Sequence, residues 1–337
     1  MEGLLTLSLA EPERSATHGV HARVAAVRSV SSIGVARYCD RLAGALEGVG
    51  FEYPLAEHAG GDSNVHFHLA NSSRRCIPQA LREERFVVTL HDVAPRTRAL
   101  APLYRGVVYP YVVGRSAATV VHSRYAADFL LRLGGRPGRL EVIAHPATRP
   151  ETLDRRAARV SLGLPPGDLV AVLPGVLKRA KLVREAVLAL GSVGREWRLV
   201  LAGPVQDSRA AGEARRAGAI VLDHPDDRRY QAAIVASDVV LCLRSRSVGE
   251  TNGPLLDALG AGRPVLATAT GSLPEVAADA ARYVQPTAAG IAAGLRALTD
   301  ESERRERGRI ARALAAALSW DASAAAHADL FAEVFGG

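Results

Sequence analysis

The segment from Asp238 to Thr268 constrains this chain most. Asp238-Val239-Val240-Leu241-Cys242-Leu243 is an unbroken apolar run behind one acid, the pattern of a central parallel strand buried on both faces. Ser247-Val248-Gly249-Glu250-Thr251-Asn252-Gly253 follows as a loop. Pro254-Leu255-Leu256-Asp257-Ala258-Leu259 then reads as a helix whose proline sits in the first turn, where no backbone donor is missed. Gly262 and Pro264 end that helix, and Pro264–Thr268 returns as the next strand. In such a unit the unpaired N–H groups of the helix start point beyond the strand end, where they attract a diphosphate.

The rest of the chain repeats this alternation. Val24–Val27, Val65–Leu69, Phe86–Leu90, Ala118–Val121 and Leu140–Ile143 read as strands, with an amphipathic helix through Tyr38, Leu42 and Leu46 after the first. Two prolines in His145-Pro146-Ala147-Thr148-Arg149-Pro150 mark a domain boundary. Leu169–Leu173, Trp197–Gly203 and Ile220–Leu222 then restart the series, with a helix expected over Leu182–Leu190. The pattern is that of doubly wound parallel sheets, and 337 residues supply two domains of about 150 each. The expected units are 1–147, 148–319 and a last helix over 320–337, started by Ser319 or Asp321 as cap.

Composition limits the partners. Cys39, Cys76 and Cys242 are far apart and lack metal-ligand spacing, which fits a reducing cytoplasm and neither a disulfide framework nor a zinc site. His66 and His68 share one face of a strand without a third ligand, so no metal site is read there. The short apolar run Gly3–Ala10 follows Glu2 and lacks a basic leader, so no signal peptide is expected, and no run has the length of a membrane span. The formal charge of +7 permits an anionic partner. Arginines and acids interleave, and aromatics make up only 5% of the chain, which argues against nucleic acid. Arg96 to Tyr109 mixes cations with large apolar residues and offers two readings, a peripheral membrane face or ordinary core packing; Pro102 and Gly106 argue against one long helix.

On the Ser247–Asp257 segment the chain resembles the retaining GT-B glycosyltransferases of family 4. Gly249 stands in the family's first acidic position with Glu250 next to it, and Asp257 stands in the second, similar to a subgroup carrying Gly-Glu-Thr-Ser; Asn252 replaces that serine. Gly175-Val176-Leu177-Lys178-Arg179-Ala180-Lys181 resembles the turn whose Arg and Lys grip the donor phosphates. Lys181 matches the Lys, while Val176 holds the Arg position, so Lys178 or Arg179 is expected to substitute, Arg179 preferred for its bidentate reach. Thr89-Leu90-His91-Asp92 resembles the strand-end segment facing the donor sugar, and Ser31-Ser32-Ile33-Gly34 resembles the N-terminal glycine loop. Val121-His122-Ser123-Arg124-Tyr125 resembles the strand-turn-helix beside the acceptor.

The resemblance implies an α/β GT-B fold, two Rossmann-like domains facing a central cleft, and transfer of a sugar from a nucleotide-sugar (NDP-sugar) donor to an acceptor hydroxyl. It further implies retention of anomeric configuration, a hexosyltransferase-type reaction and no metal or other cofactor. His91, Lys181 and Glu250 are expected to carry the chemistry. Donor binding falls to Gly34, Gly175, Lys178, Arg179, Lys181, Glu250, Thr251, Asn252, Gly253, Pro254, Leu255 and Asp257, and Ser32, Asn71 and Arg124 lie on the acceptor side. The acceptor is a saccharide, a natural-product aglycone or a lipid-linked molecule.

Plainer readings stand beside these. Asp257 accepts from ribose hydroxyls, or merely complements the helix dipole, worth about 0.3–1 kcal/mol. His91 contacts the sugar or is structural, Asp92 is a cap, the basic turn is solvated, and Arg124 is a surface residue on a capped helix. For the whole chain the alternatives are a GT-B-like epimerase or phosphorylase, and a degenerate binding or scaffold protein suggested by Val176 and Gly249.

Overall fold

The computed structural model describes residues 23–28, 33–59, 64–70, 75–150, 154–194 and 196–336. Ser32 and Asn71 lie outside them. The first sheet contains β1 (Ala25–Val27), β2 (Leu55–Ala56), β3 (Val65–Leu69), β4 (Phe86–Leu90), β5 (Ala118–Val121) and β6 (Leu140–Val142), in the order β2-β1-β3-β4-β5-β6. The second contains β7 (Leu169–Pro174), β8 (Trp197–Ala202), β9 (Ile220–Leu222), β10 (Val239–Cys242), β11 (Val265–Thr268) and β12 (Ala281–Val284), in the order β12-β11-β10-β7-β8-β9. Every pairing is parallel. The strand order reverses between β1 and β3 in one sheet and between β7 and β10 in the other, and ligands of open α/β sheets bind at such switch points.

Parallel strands are buried on both faces, which is why they read as apolar runs. On one face of the first sheet, Val24, Ala26, Val87 and Val120 pack with Tyr38, Leu42 and Leu46 of helix Ile33–Glu47 and with Leu330, Phe331 and Val334 of helix Trp320–Phe335. Phe67, Val88, Leu90 and Val121 fill the opposite face with Tyr109, Val112 and Leu130. In the second sheet Leu173, Leu201 and Leu241 form one core and Val172, Val200 and Ala233 another. Each such aliphatic side chain contributes about 1.5–3 kcal/mol on burial. Ser319 caps the last helix by accepting from Ala322 N at 3.1 Å.

Three features differ from the sequence expectation. β2 and β12 were not foreseen, because a two-residue strand has no periodicity and Arg282 interrupts the apolar pattern of an edge strand. Residues 98–113 form one continuous helical run, with Arg98–Leu100, Ala101–Leu103 and a wide turn over Tyr104–Val113 that holds Pro110 inside it. Wider i→i+5 turns accommodate the missing proline donor. Tyr104, Val108 and Val112 of this run are core residues, so core packing accounts for its large apolar side chains. The helix foreseen over Leu182–Leu190 runs Val183–Leu190, after the tight turn Arg179–Lys181. No helix among the described residues is long and apolar enough to cross a membrane.

The turns after β7 and β8 touch. Gly203 has φ 151°, and a Cβ there would lie 2.3 Å from Gly175 O. Gly203→Ala is therefore expected to cost on the order of 1–3 kcal/mol, read as a lower midpoint in thermal unfolding; an unchanged midpoint would show that the two turns move apart freely.

Candidate functional site

Strand-end loops of both sheets line a cleft of 620 Å³. The first domain contributes Ala70 after β3, His91 and Asp92 after β4, His145 after β6, and Gly34, Arg37, Tyr38 and Arg41 from the start of helix Ile33–Glu47. From the second come Gly175 and Val176 after β7, Gly203 after β8, His224 after β9, and Glu250, Thr251, Gly253, Pro254 and Asp257 after β10. Both switch points thus open onto one space.

The turn after β7 is built around a buried cation. Gly175 has φ 83°, and a side chain there would strike Lys181 Nζ at 2.5 Å. That ammonium donates to Pro174 O at 2.6 Å. Burial, reinforced by the Arg244 and Lys178 charges, pulls the Lys181 pKa down to about 7. Lys178 is half-buried, its pKa lowered by burial and by the Arg96 and Arg244 charges; like Lys181 it stands behind the residues that line the cleft. Arg179, preferred from sequence as the substitute phosphate ligand, is exposed and does not line the cleft. A cation that composition did not single out does: Arg96, held by Asp92 through contacts of 2.7–3.2 Å. Asp92 is thus the ion-pair partner of Arg96.

At the helix Gly253–Gly260, Pro254 carries no N–H, and Leu255 and Leu256 N–H donate back to Asn252 O at 2.9 and 3.2 Å. The Gly253 N–H is then the outward donor of the first turn. Leu255 is 1% exposed and packs beneath the cleft, so Leu256 and not Leu255 lines it. Asn252 is buried behind the lining, its Oδ1 without a hydrogen-bond partner. Tyr230, reached only through the fold, donates to Asp257 Oδ2 at 2.9 Å. Burial raises the Asp257 carboxyl to about 6, against the lowering effect of that hydrogen bond.

Glu250 is clamped. One oxygen pairs with Arg244, and the other accepts from Ser247 Oγ at 2.9 Å and Val248 N at 2.7 Å. Despite burial, the Arg244 charge and these donors hold its carboxyl below the usual range. Gly249, in the first acidic position, has φ 82°, and a Cβ there would meet Val93 Cβ at 2.6 Å across the domain contact. No side chain fits, so the acid stands one position later.

Arg124 is exposed and does not line the cleft; its N–H and that of Tyr125 donate to the two oxygens of Glu275 from the second domain, and Ser123 caps the same helix. The capped-helix reading describes it. His91 lines the cleft with both ring nitrogens within 3.2 Å of other histidines. His145 and Trp320 complete this aromatic side of the cleft around Tyr38; the sequence offered only a loop proline signal at the former and a helix cap at the latter.

No family model matches the chain. A D-inositol 3-phosphate glycosyltransferase of Streptomyces bingchenggensis is 27% identical over 261 residues, covering 70% of this chain and 57% of that protein. The chain thus spans less than two thirds of the length of the curated relative it matches. Sucrose-phosphate synthase from Thermosynechococcus elongatus superposes with a TM-score of 0.76 at 17% identity, over 93% of this chain and 99% of that one. Anabaena HepE in complex with UDP and glucose gives 0.72 at 13% identity, over 93% and 100%. At such identity the likeness carries the architecture, and with the two parallel sheets and their shared cleft it establishes that the chain has the GT-B fold.

Proposed function

We propose that this chain is a glycosyltransferase that moves a sugar from a nucleoside diphosphate donor to an acceptor hydroxyl, with retention and without a metal. The observation that carries the reading is the Lys181 ammonium beneath the Gly175 turn. It is 8% exposed and, among the described residues, makes no ion pair, so an anion brought to the Gly175 turn from the cleft would stabilise its charged form. A diphosphate between the Gly175 turn and the Gly253 N–H meets Lys181 from below, with Lys178 and Arg96 nearby. This cationic group supports metal independence, since it can take the charge of the leaving diphosphate. Retention is supported by the order of motifs alone. The names of the neighbours support the donor class, HepE having been solved with UDP and with UDP-glucose.

In this arrangement the free oxygen of Asp257 accepts from ribose, with Tyr230 fixing the carboxyl. Glu250 acts mainly through its loop: its pair with Arg244 orients Thr251 to Gly253 toward the donor. Three free, buried cysteines support work in a reducing compartment. The experiment that tests the reading is a thermal-shift screen of UDP, GDP, ADP, TDP and CDP with their sugars, because a ligand of the native state raises the midpoint. Product NMR on an identified acceptor then reads the anomeric configuration, and EDTA treatment the metal requirement; an inverted linkage, or activity lost to EDTA and restored by Mg²⁺, contradicts the mechanism.

Two variants follow. Lys181→Met is expected to weaken nucleotide binding by about 10- to 100-fold, the loss of a charge-assisted contact of about 1.5–3 kcal/mol, measured by calorimetry. Asp257 has its carboxyl raised to about 6, so its ionised form disfavours the folded apo state: this contribution to stability is present at low pH and lost as pH rises through 6. Asp257→Asn should therefore raise the unfolding midpoint at pH 7 while weakening nucleotide binding. A stability loss with unchanged affinity would remove Asp257 from the site.

A further inference from the structure

A file of hydrogen bonds runs through the first domain behind the cleft. Thr89 Oγ1 lies 2.7 Å from His66 Nε2, and His66 Nδ1 lies 2.6 Å from Tyr53 Oη. Tyr53 Oη lies 2.7 Å from His68 Nε2, and His68 Nδ1 lies 3.1 Å from His91 Nε2. His91 Nδ1 lies 3.2 Å from His122 Nε2, and His122 Nδ1 ends the file 2.9 Å from Ile143 O.

The last partner is a carbonyl, which only accepts. His122 therefore carries its proton on Nδ1, and its neutral ring accepts at Nε2 from His91 Nδ1–H. His91 must then accept at Nε2 from His68 Nδ1–H. His68 in turn accepts from the Tyr53 hydroxyl, which accepts from His66 Nδ1–H, and His66 accepts from Thr89. Every donor meets one acceptor, and reversing any link sets two donors or two lone pairs against each other in the interior. One carbonyl thus decides the tautomer of four rings.

We propose that His68 and His122 are positioning residues that hold His91, in the cleft wall, as a fixed uncharged Nδ1–H imidazole. This rests on the glycosyl-transfer reading. The reacting sugar carbon gains positive charge as the diphosphate leaves, and an imidazolium in the wall would oppose it. With both nitrogens committed, the His91 side chain is neither general acid nor base and does not hydrogen-bond the sugar, against the expectation from sequence. The titratable and charged groups around it are His68 on β3, Asp92 and Arg96 on its own loop, and His122 and His145 after β5 and β6. Tyr38 of helix Ile33–Glu47 and His327 of helix Trp320–Phe335 complete the set. Burial and the neighbouring histidines hold His91 well below the usual histidine range.

The test is histidine-selective ¹⁵N NMR on the full chain, which reads tautomer and charge ring by ring. His66, His68, His91 and His122 should all show the Nδ1–H tautomer at pH 7, and His91 should not titrate between pH 5.5 and 8. His122→Phe cuts the file from the Ile143 carbonyl and frees it to run in either direction, so His66, His68 and His91 should become mixtures of the two tautomers while burial keeps His91 uncharged, and turnover should fall with little change in donor KM. His122→Gln keeps an acceptor and a donor on one side chain and should leave His91 in the Nδ1–H tautomer. An Nε2–H or mixed His91 in the native protein, or a His91 that keeps the pure Nδ1–H tautomer in the Phe variant, overturns the proposal. If no donor supports turnover, the spectra still decide the positioning claim and only the glycosyl-transfer reading falls.

Discussion

A lysine ammonium buried against a single carbonyl is the constraint around which this molecule is arranged. Lys181 receives one hydrogen-bond acceptor, Pro174 O, and its charged neighbours are mainly cations. Taking a charge out of water costs several kcal/mol unless an opposite charge compensates it. The turn above must be glycine, because any Cβ at Gly175 would displace the ammonium, and Gly203 must in turn yield to Gly175. The Rossmann-like order brings β10 beside β7 and so sets the helix start at Gly253 against the same turn. Pocket, cation and helix terminus are one construction.

The two domains meet through contacts that also explain why a glycine stands at position 249. Val248 O accepts from Ala94 N at 2.9 Å, and Gly249 lies against Val93 and Phe129. Glu275 reaches from the second domain to the helix start at Arg124, where a carboxylate is favoured by free N–H groups and the helix dipole. Arg37 pairs with Asp227 across the same boundary. With the loop pressed this closely onto the first domain, an acid at position 249 has no room, and Glu250 turns instead toward Arg244. Val176 lines the same cleft as Arg96, which comes from the opposite domain and is held by Asp92.

Much of the architecture was legible because parallel strands must be apolar throughout: β3, β4, β5 and β9 were read to the residue, and the helix after β10 was marked by Pro254 and Gly262. The site was legible where chemistry lies in a local motif, as at Gly175, Gly253 and Asp257, all of which line the cleft. What was missed depends on distance in sequence. Tyr230 meets Asp257 from a separate helix, and Tyr53 joins His66 to His68 from the segment just before β2. No spacing rule links these residues. Arg179 was favoured over Lys178 for its phosphate geometry, but the tight turn Arg179–Lys181 sends it to solvent.

The most direct test of the central claim is the proton count of nucleotide binding at pH 8, from calorimetry in buffers of differing ionisation enthalpy. With its pKa near 7 in the empty protein, Lys181 is mostly neutral at pH 8 and must take up a proton to meet a diphosphate. Uptake approaching one proton per nucleotide, abolished by Lys181→Met, is the expected result. A binding enthalpy independent of buffer in the native protein would contradict the account, because the diphosphate would then be held by something other than the buried lysine.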